Sequence, residues 1–180
     1  TSHGFCIEEN TFTPTANIQA NVLDAIVIEN SESNSTQVYK NSADGMNSGY
    51  IAEGNCMDPM NASAIGHEFA CNTNTGNQQN FWVRKDDQDN VTWDHSERTQ
   101  QGSNDVPAGN TFDQGAGESD YKNETAWVIN YWHQGGVTQP VAVTPGWVGV
   151  TLATGGNNCP SRLGGKEVKL NAAHRQEAQN

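Results

Sequence analysis

The sequence predicts an all-β fold, mostly antiparallel and sandwich- or barrel-like, with long loops and little helix. Three observations lead there. Only 34% of the 180 residues are apolar, and mean hydropathy is −0.73, so one core with generous loops is all the chain can build. Asn, Gly, Gln, Ser and Thr take up the difference; they bond their own backbone or allow positive φ, and so favour turns over helices. The apolar residues fall in short alternating runs separated by turn clusters, the pattern of a sheet closed by loops.

In chain order, residues 1–15 read as an extended arm pinned by Cys6. The run from Ile18 to Ile28 is the first strong strand: Ile18, Ala20, Val22, Ile26 and Ile28 share a face that Asp24 interrupts. Asn30 to Thr36 is turn-like, and Gln37 to Tyr39 a short strand. Residues 41–80, with Gly45, Gly49, Gly54, Pro59 and Gly76, are the most loop-rich. A short helix is expected from Asn61 to Phe69, where Ala62, Ala64, Ile65 and Phe69 recur at helical spacing. Asn80 to Arg84 and Asn90 to His95 form a hairpin across a polar turn. Gln100 to Asn123 reads as loop, Thr125 to His133 as the best late strand, and Val137 to Leu152 as one or two more. Glu167 to Leu170 would close the sheet, and a polar tail follows. No internal repeat and no domain linker is expected, so residues 1–180 are one secreted β-rich domain.

Nine Lys and Arg stand against 21 Asp and Glu, a net charge of −12. Such a field repels phosphate backbones and anionic lipid heads, which excludes nucleic acid and membrane surfaces as partners and favours cations. Simple solubility explains the acidity equally well. No apolar run approaches the ~18 residues that cross a bilayer. A chain beginning at Thr1 has the look of one trimmed by a signal peptidase. Cys6, Cys56, Cys71 and Cys159 contain no CxxC and suggest two disulfides, with free thiols or metal ligands as the alternative. Of the three possible connectivities, Cys56 with Cys71 closes a short loop, whereas Cys6 with Cys159 ties the ends together. Everything here points to a secreted or cell-surface location.

The histidines are His3, His67, His95, His133 and His174. There is no HExxH, GxSxG, P-loop or strand-following GxGxxG, and no general base is evident, so binding is expected rather than catalysis. In Val91-Thr92-Trp93-Asp94-His95 a strand would point Trp93 and His95 to the same face, roughly 7 Å apart at the backbone. A second histidine brought alongside makes a two-nitrogen metal site next to an aromatic ring, and His133 in Tyr131-Trp132-His133 is also at a strand end. Imidazole suits copper, zinc, iron and nickel. The plain alternative is core packing plus a satisfied imidazole.

The Trp93-x-His95 spacing in an acidic, Asn- and Gly-rich chain resembles the MopE/CorA-type copper-binding surface proteins of methanotrophic bacteria. The resemblance implies that Trp93 is oxidised to kynurenine, whose amine joins two histidines around Cu(I). His95 would be the first ligand and His133 the second, with His174 or His67 as the other choices. It further implies a surface-associated protein for copper acquisition or storage. Asp86, Asp87, Asp89 and Asn90 offer the hard oxygen ligands of a Ca²⁺ site, or else a solvated turn. Two other readings come from composition. Trp82, Trp93, Trp127, Trp132 and Trp147, with Tyr39, Tyr50, Tyr121 and Tyr131, would form a sugar-stacking face of a carbohydrate-binding module. Long polar loops also suit a structural or adhesive extracellular subunit.

Overall fold

The computed structural model describes residues 5–15, 23–31, 36–85, 96–113, 115 and 119–162. The antiparallel sandwich is not what the chain forms: every strand-to-strand pairing among the described residues is parallel. Antiparallel geometry is confined to the isolated bridges Met57↔Gly66 and Gly102↔Pro107. A first coil holds β1 (Cys6–Glu8), β2 (Thr11–Phe12) and β3 (Asp24–Glu29). A second holds β4 (Thr36–Tyr39), β5 (Ser42–Asp44) and β6 (Ser48–Glu53), and a third β7 (His67–Ala70), β8 (Thr73–Thr75) and β9 (Gln79–Arg84). Each strand lies beside its counterpart in the next coil, giving the stacks β1-β4-β7, β2-β5-β8 and β3-β6-β9. This is a parallel β-helix with three faces.

Four later strands complete the solenoid. β10 (Gln100–Gln101) and β11 (Ser119–Asn123) belong to the fourth coil, with Thr111 bridging to Thr73 between them. β12 (Ile129–His133) pairs with β10, and β13 (Val148–Leu152) pairs with β12. Parallel strands need a crossover of a dozen or more residues. Here the other two strands of the coil are the crossover, so no helix is required and antiparallel hairpins never arise.

The coil length is a repeat, contrary to expectation. Side-chain bonds between Asn10 and Asn41, and between Asn41 and Asn72, each span 31 positions. At every step a residue in the left-handed region turns the corner: Glu9 (φ 57°), Lys40 (55°) and Cys71 (62°). Each is followed by an Asn and then a Ser or Thr, as in Asn10-Thr11, Asn41-Ser42 and Asn72-Thr73. Gly109 (φ 71°), ahead of Asn110-Thr111, is the fourth such corner. The asparagines form a ladder. Asn41 Oδ1 accepts from the Asn10 N–H, Asn72 Oδ1 from the Asn41 N–H (both 3.0 Å), and Asn110 Oδ1 from the Asn72 N–H (2.8 Å). Buried corner amides thus find partners without water.

Inside the tube the apolar residues stack as the coils do. Tyr50 stacks on Phe81 at 5.3 Å and Phe69 on Phe81 at 4.7 Å, then Phe81 meets Tyr121 (5.3 Å) and Tyr121 meets Tyr131 (5.7 Å). Each such contact adds roughly 0.5–1.5 kcal/mol beyond area burial. A narrow tube lined partly by amides needs few apolar residues, which accounts for the low apolar fraction.

Local expectations shift accordingly. Gln37–Tyr39 is a strand, within β4. The expected helix is a 3-10 turn over Pro59–Asn61, and its Phe69 end is strand β7, where Phe69 points into the core. The supposed loops 41–80 and 100–123 carry strands β5 to β8, β10 and β11. The first half of the 80–95 hairpin is β9, which pairs in parallel with β6 and β11. The second half lies outside the described residues, as do 167–170 and the tail. One disulfide forms instead of two. It joins Cys71 to Cys159 across 88 positions, while Cys6 and Cys56 are free thiols. Stacking decides this: Cys56 is buried beside Glu53 and Ile28, whereas Cys71 stands at an outer corner that the returning chain reaches.

Candidate functional site

Of the residues expected to hold copper, the described structure contains His133 alone. It ends β12, is buried, and its Nδ1 accepts from the Gly135 N–H at 2.9 Å. Desolvation lowers its pKa, keeping the imidazole neutral. Trp93 and His95 lie outside the described residues, as do the oxygen ligands Asp86 to Asn90 and the alternative His174. His67 is sealed in the core with Nδ1 2.8 Å from Thr36 Oγ1. Burial, and then the charge of Arg98, pull its pKa down to about 3. Among the described residues no group of three or more His, Cys, Asp or Glu is placed to hold a metal ion.

The aromatic residues do not gather on one face either. Tyr50, Tyr121 and Tyr131 are core, and Trp147 is exposed elsewhere. The outer face of the β1-β4-β7 stack and its continuation over β10 and β12 does carry a patterned surface. Strand alternation sends Val38, Phe69, Gln101 and Tyr131 inward. Their neighbours Gln37, Glu68, Gln100 and Asn130 therefore form an outward row across successive coils, following the registers Gln37↔Glu68 and Gln100↔Asn130. A second outward row runs Tyr39, Ala70, Gly102 and Trp132: large at both ends, small in the middle. At a strand spacing of ~4.8 Å, its three steps span on the order of 15 Å.

A trough opens where that middle is small. β7 and β10 belong to separate ladders, and the buried amide of Gln101 stands between them. Its Oε1 accepts from the Phe69 N–H at 2.9 Å, and its Nε2 donates to the His67 carbonyl at 3.1 Å. Gly102, at φ 72°, lets the chain leave the floor at once. A Cβ there would sit 2.3 Å from the Ala108 nitrogen, so any side chain is excluded. The resulting cavity of about 460 Å³ has Tyr39, Ala70 and Gly102 among its walls. A second cavity of about 310 Å³ shares Gln37, Glu68, Arg98 and Arg162 with it.

One wall comes from the far end of the chain. The Cys71–Cys159 bond holds residues 159–162 against the second coil, where the Tyr39 hydroxyl donates to the Pro160 carbonyl at 2.7 Å. Arg162 then lies on the Tyr39 ring at 3.5 Å and donates to Gln37 Oε1. Gln37 Nε2 donates to Glu68, and Glu68 pairs with Arg98. Arg162, Gln37, Glu68 and Arg98 therefore form one chain of bonds along the floor. Beneath it Glu97 is buried, its Oε2 accepting from the Tyr121 hydroxyl at 2.6 Å. Desolvation raises its carboxyl well above the ordinary range, although the Tyr121 hydroxyl bond acts the other way.

Neither composition nor local spacing marks Gln37, Glu68, Gln100, Arg98 and Arg162 as a set. The 31-residue offset of the Asn-Ser/Thr pairs was the available signal, since it places Gln37 beside Glu68. Fold and site together define a parallel β-helix with a polar trough on one face. Comparison of the chain with protein-family models, curated proteins and solved structures finds no match.

Proposed function

We propose that this chain is an extracellular β-helix that binds a polysaccharide along the trough. The observation that carries the reading is the outward row Gln37, Glu68 and Gln100, which lines the trough and continues by register to Asn130, with the half-buried Trp132 ring two positions on along β12. Planar amides and a carboxylate at regular spacing suit repeated hydroxyl groups, and the Trp132 ring suits the apolar face of a sugar. The trough is open and long rather than enclosed, which favours a linear polymer over a small metabolite. The net charge of −12 weighs against nucleic acid. The disulfide supports an oxidising, extracytoplasmic setting.

Retention on immobilised neutral and acidic polysaccharides tests the reading. Trp132→Ala is expected to weaken binding roughly tenfold while leaving the melting temperature within about 2 °C of the parent. If no polysaccharide retains the chain, or Trp132→Ala binds as the parent does, the trough is not a glycan site.

A second reading is favoured by His133, whose neutral imidazole is in the form a metal accepts. Cu(I) held by His133, His95 and an oxidised Trp93 requires a Trp93 peptide about 4 Da heavier (one carbon lost, one oxygen gained) and about one copper per chain. Mass spectrometry and metal analysis of protein from its native source decide it. An unmodified Trp93 and no copper end that reading.

A further inference from the structure

Resting on the glycan reading of the trough, we propose that its ligand is an acidic polysaccharide of uronic acid units, whose carboxylates pair with Arg162. The chain as a whole is acidic, with nine Lys and Arg against 21 Asp and Glu. The shared part of the two cavities reverses that balance: Arg98 and Arg162 face a single carboxylate, Glu68. Glu8 and Glu9 are not among the walls but lie just behind them, Glu9 on the Arg162 backbone N–H and Glu8 on the Cys6 thiol that lines the second cavity.

The two arginines are not equivalent. Arg98 is paired with Glu68 and mostly covered, its side chain 19% exposed. That pair is internally neutral, and Gln37 completes the hydrogen bonding of Glu68. Arg162 is exposed, and its guanidinium is held by neutral groups: the Gln37 amide oxygen and the face of the Tyr39 ring. Stacking on the ring fixes the guanidinium plane, and Gln37 takes one of its five N–H donors. The remaining donors form the fork that matches a carboxylate with two parallel bonds. A neutral glycan would gain only single hydrogen bonds there. Lysine in the same place would offer a point charge without the plane.

The acidity of the whole chain does not cancel this attraction. Screening at physiological salt has a length of about 8 Å, so carboxylates on the other faces of the solenoid act weakly at the trough. A guanidinium in contact acts at full strength. The backbone N–H of Arg162 and the Ser161 hydroxyl are tied to Glu9 Oε1 at 3.0 and 2.6 Å. The peptide carrying the guanidinium is thereby anchored before a ligand arrives, which lowers the ordering cost of binding.

The experiment measures binding of the full chain by titration calorimetry in EDTA, which removes cation bridging. The probes are polygalacturonate and alginate, each beside its carboxyl-reduced neutral form, with xylan and galactan as neutral glycans. The expected result is that at least one polyuronate binds roughly tenfold or more tightly than its reduced form. Arg162→Gln should bring the two forms level, with its melting curve unchanged. Equal binding of acidic and neutral forms overturns this inference and leaves the glycan reading standing. A preference for the acidic form that Arg162→Gln does not alter removes Arg162 from the role. Binding to none of the probes overturns both.

Discussion

The first three coils and the later ones are built on different terms. From β1 to β9 every step but one advances 31 residues, the β3-to-β6 step being 24, and each asparagine bonds the next at the 31-residue interval. Past β9 the step becomes irregular: it lengthens between the third and fourth coils, then falls to 30 residues from β10 to β12 and 19 from β12 to β13. Asn72 to Asn110 spans 38 positions and Asn80 to Asp120 spans 40. In the regular part, hydrogen bonds run from backbone to backbone or through the ladder. In the later part the backbone ladders continue, but between β7 and β10 the connection passes through a single side chain, Gln101. The trough lies at that change of spacing. Regular stacking makes a rigid scaffold with little to offer a ligand, and the added length supplies the gap, the walls and the exposed arginine. Sites placed on the irregular connections of a rigid body follow the same division of labour.

The sharpest way to break the comparison is to cut the ladder where it is deepest. Asn72 Oδ1 accepts from the Asn41 N–H and Nδ2, and Asn72 Nδ2 donates to the Val38 carbonyl and Asn110 Oδ1. Asn72→Ala strands these buried partners at about 1–3 kcal/mol for each that stays unsatisfied. We expect a loss of roughly 3 kcal/mol, or a fall near 10 °C in melting temperature. Asn10→Ala, at the exposed end of the same ladder, should cost less than about 1 kcal/mol. Equal losses in urea or thermal melts would mean that the ladder is not a graded, inward-strengthening device.

A smaller effect is expected at the seam. His67 opens β7 on the regular side, and Glu97 lies in the segment that leads to β10. Folded His67 refuses a proton down to about pH 3, whereas in the unfolded chain it takes one near pH 6.5. Its contribution to stability is thus complete above about pH 6.5 and declines as pH falls toward 3, with a limiting slope of ~1.4 kcal/mol per unit. Glu97 acts in the opposite sense. Its folded pKa is raised by desolvation, so its contribution is complete below the ordinary carboxyl range and is lost as pH rises. The two slopes oppose each other as pH rises above the ordinary carboxyl range. Glu97→Gln keeps an acceptor for Tyr121 and should remove the loss of stability that begins there. Urea midpoints at several pH values check this. A parent and variant whose midpoints run in parallel across the whole range would show that the Glu97 carboxyl is not raised in the folded chain.

The same division explains what the sequence disclosed. Strand character was legible where a run is long enough to alternate, as at Asp24–Glu29, Thr36–Tyr39 and Ile129–His133. Strands of two or three residues, such as β5, β8 and β10, are too short to show a period, and the longer β6 and β11 do not alternate, β6 being buried throughout. They were absorbed into loops, and with them went the parallel pairing. The repeat was hidden because its invariant element is polar: Asn-Ser/Thr pairs look like turn chemistry, and the apolar positions that recur at the same offset change identity at each step, as in Ile7, Val38 and Phe69. The trough was illegible for another reason. Gln37, Glu68, Gln100 and Arg162 acquire meaning only when three coils and a disulfide-tethered segment bring them together.

The smallest expected effect concerns the corners. Glu9, Lys40 and Cys71 occupy left-handed backbone in the regular part, where the later coil has Gly109. A side chain in that region costs about 1–2 kcal/mol, whereas glycine gives back roughly 0.5–1 kcal/mol through the greater freedom of its unfolded state. At Lys40 the backbone N–H donates to the Ala70 carbonyl at 3.0 Å, a bond that any residue keeps. Lys40→Gly should therefore stabilise the chain by about 0.5 kcal/mol, visible as a small rise in the urea midpoint with unchanged slope. The sign separates two accounts of the regular coils. A gain means that the ladder holds its corners against strain, so that asparagine sets the turn and the preceding residue tolerates it. A loss of more than about 1 kcal/mol would mean that the Lys40 side chain itself stabilises the corner, and that the three regular corners are not one motif.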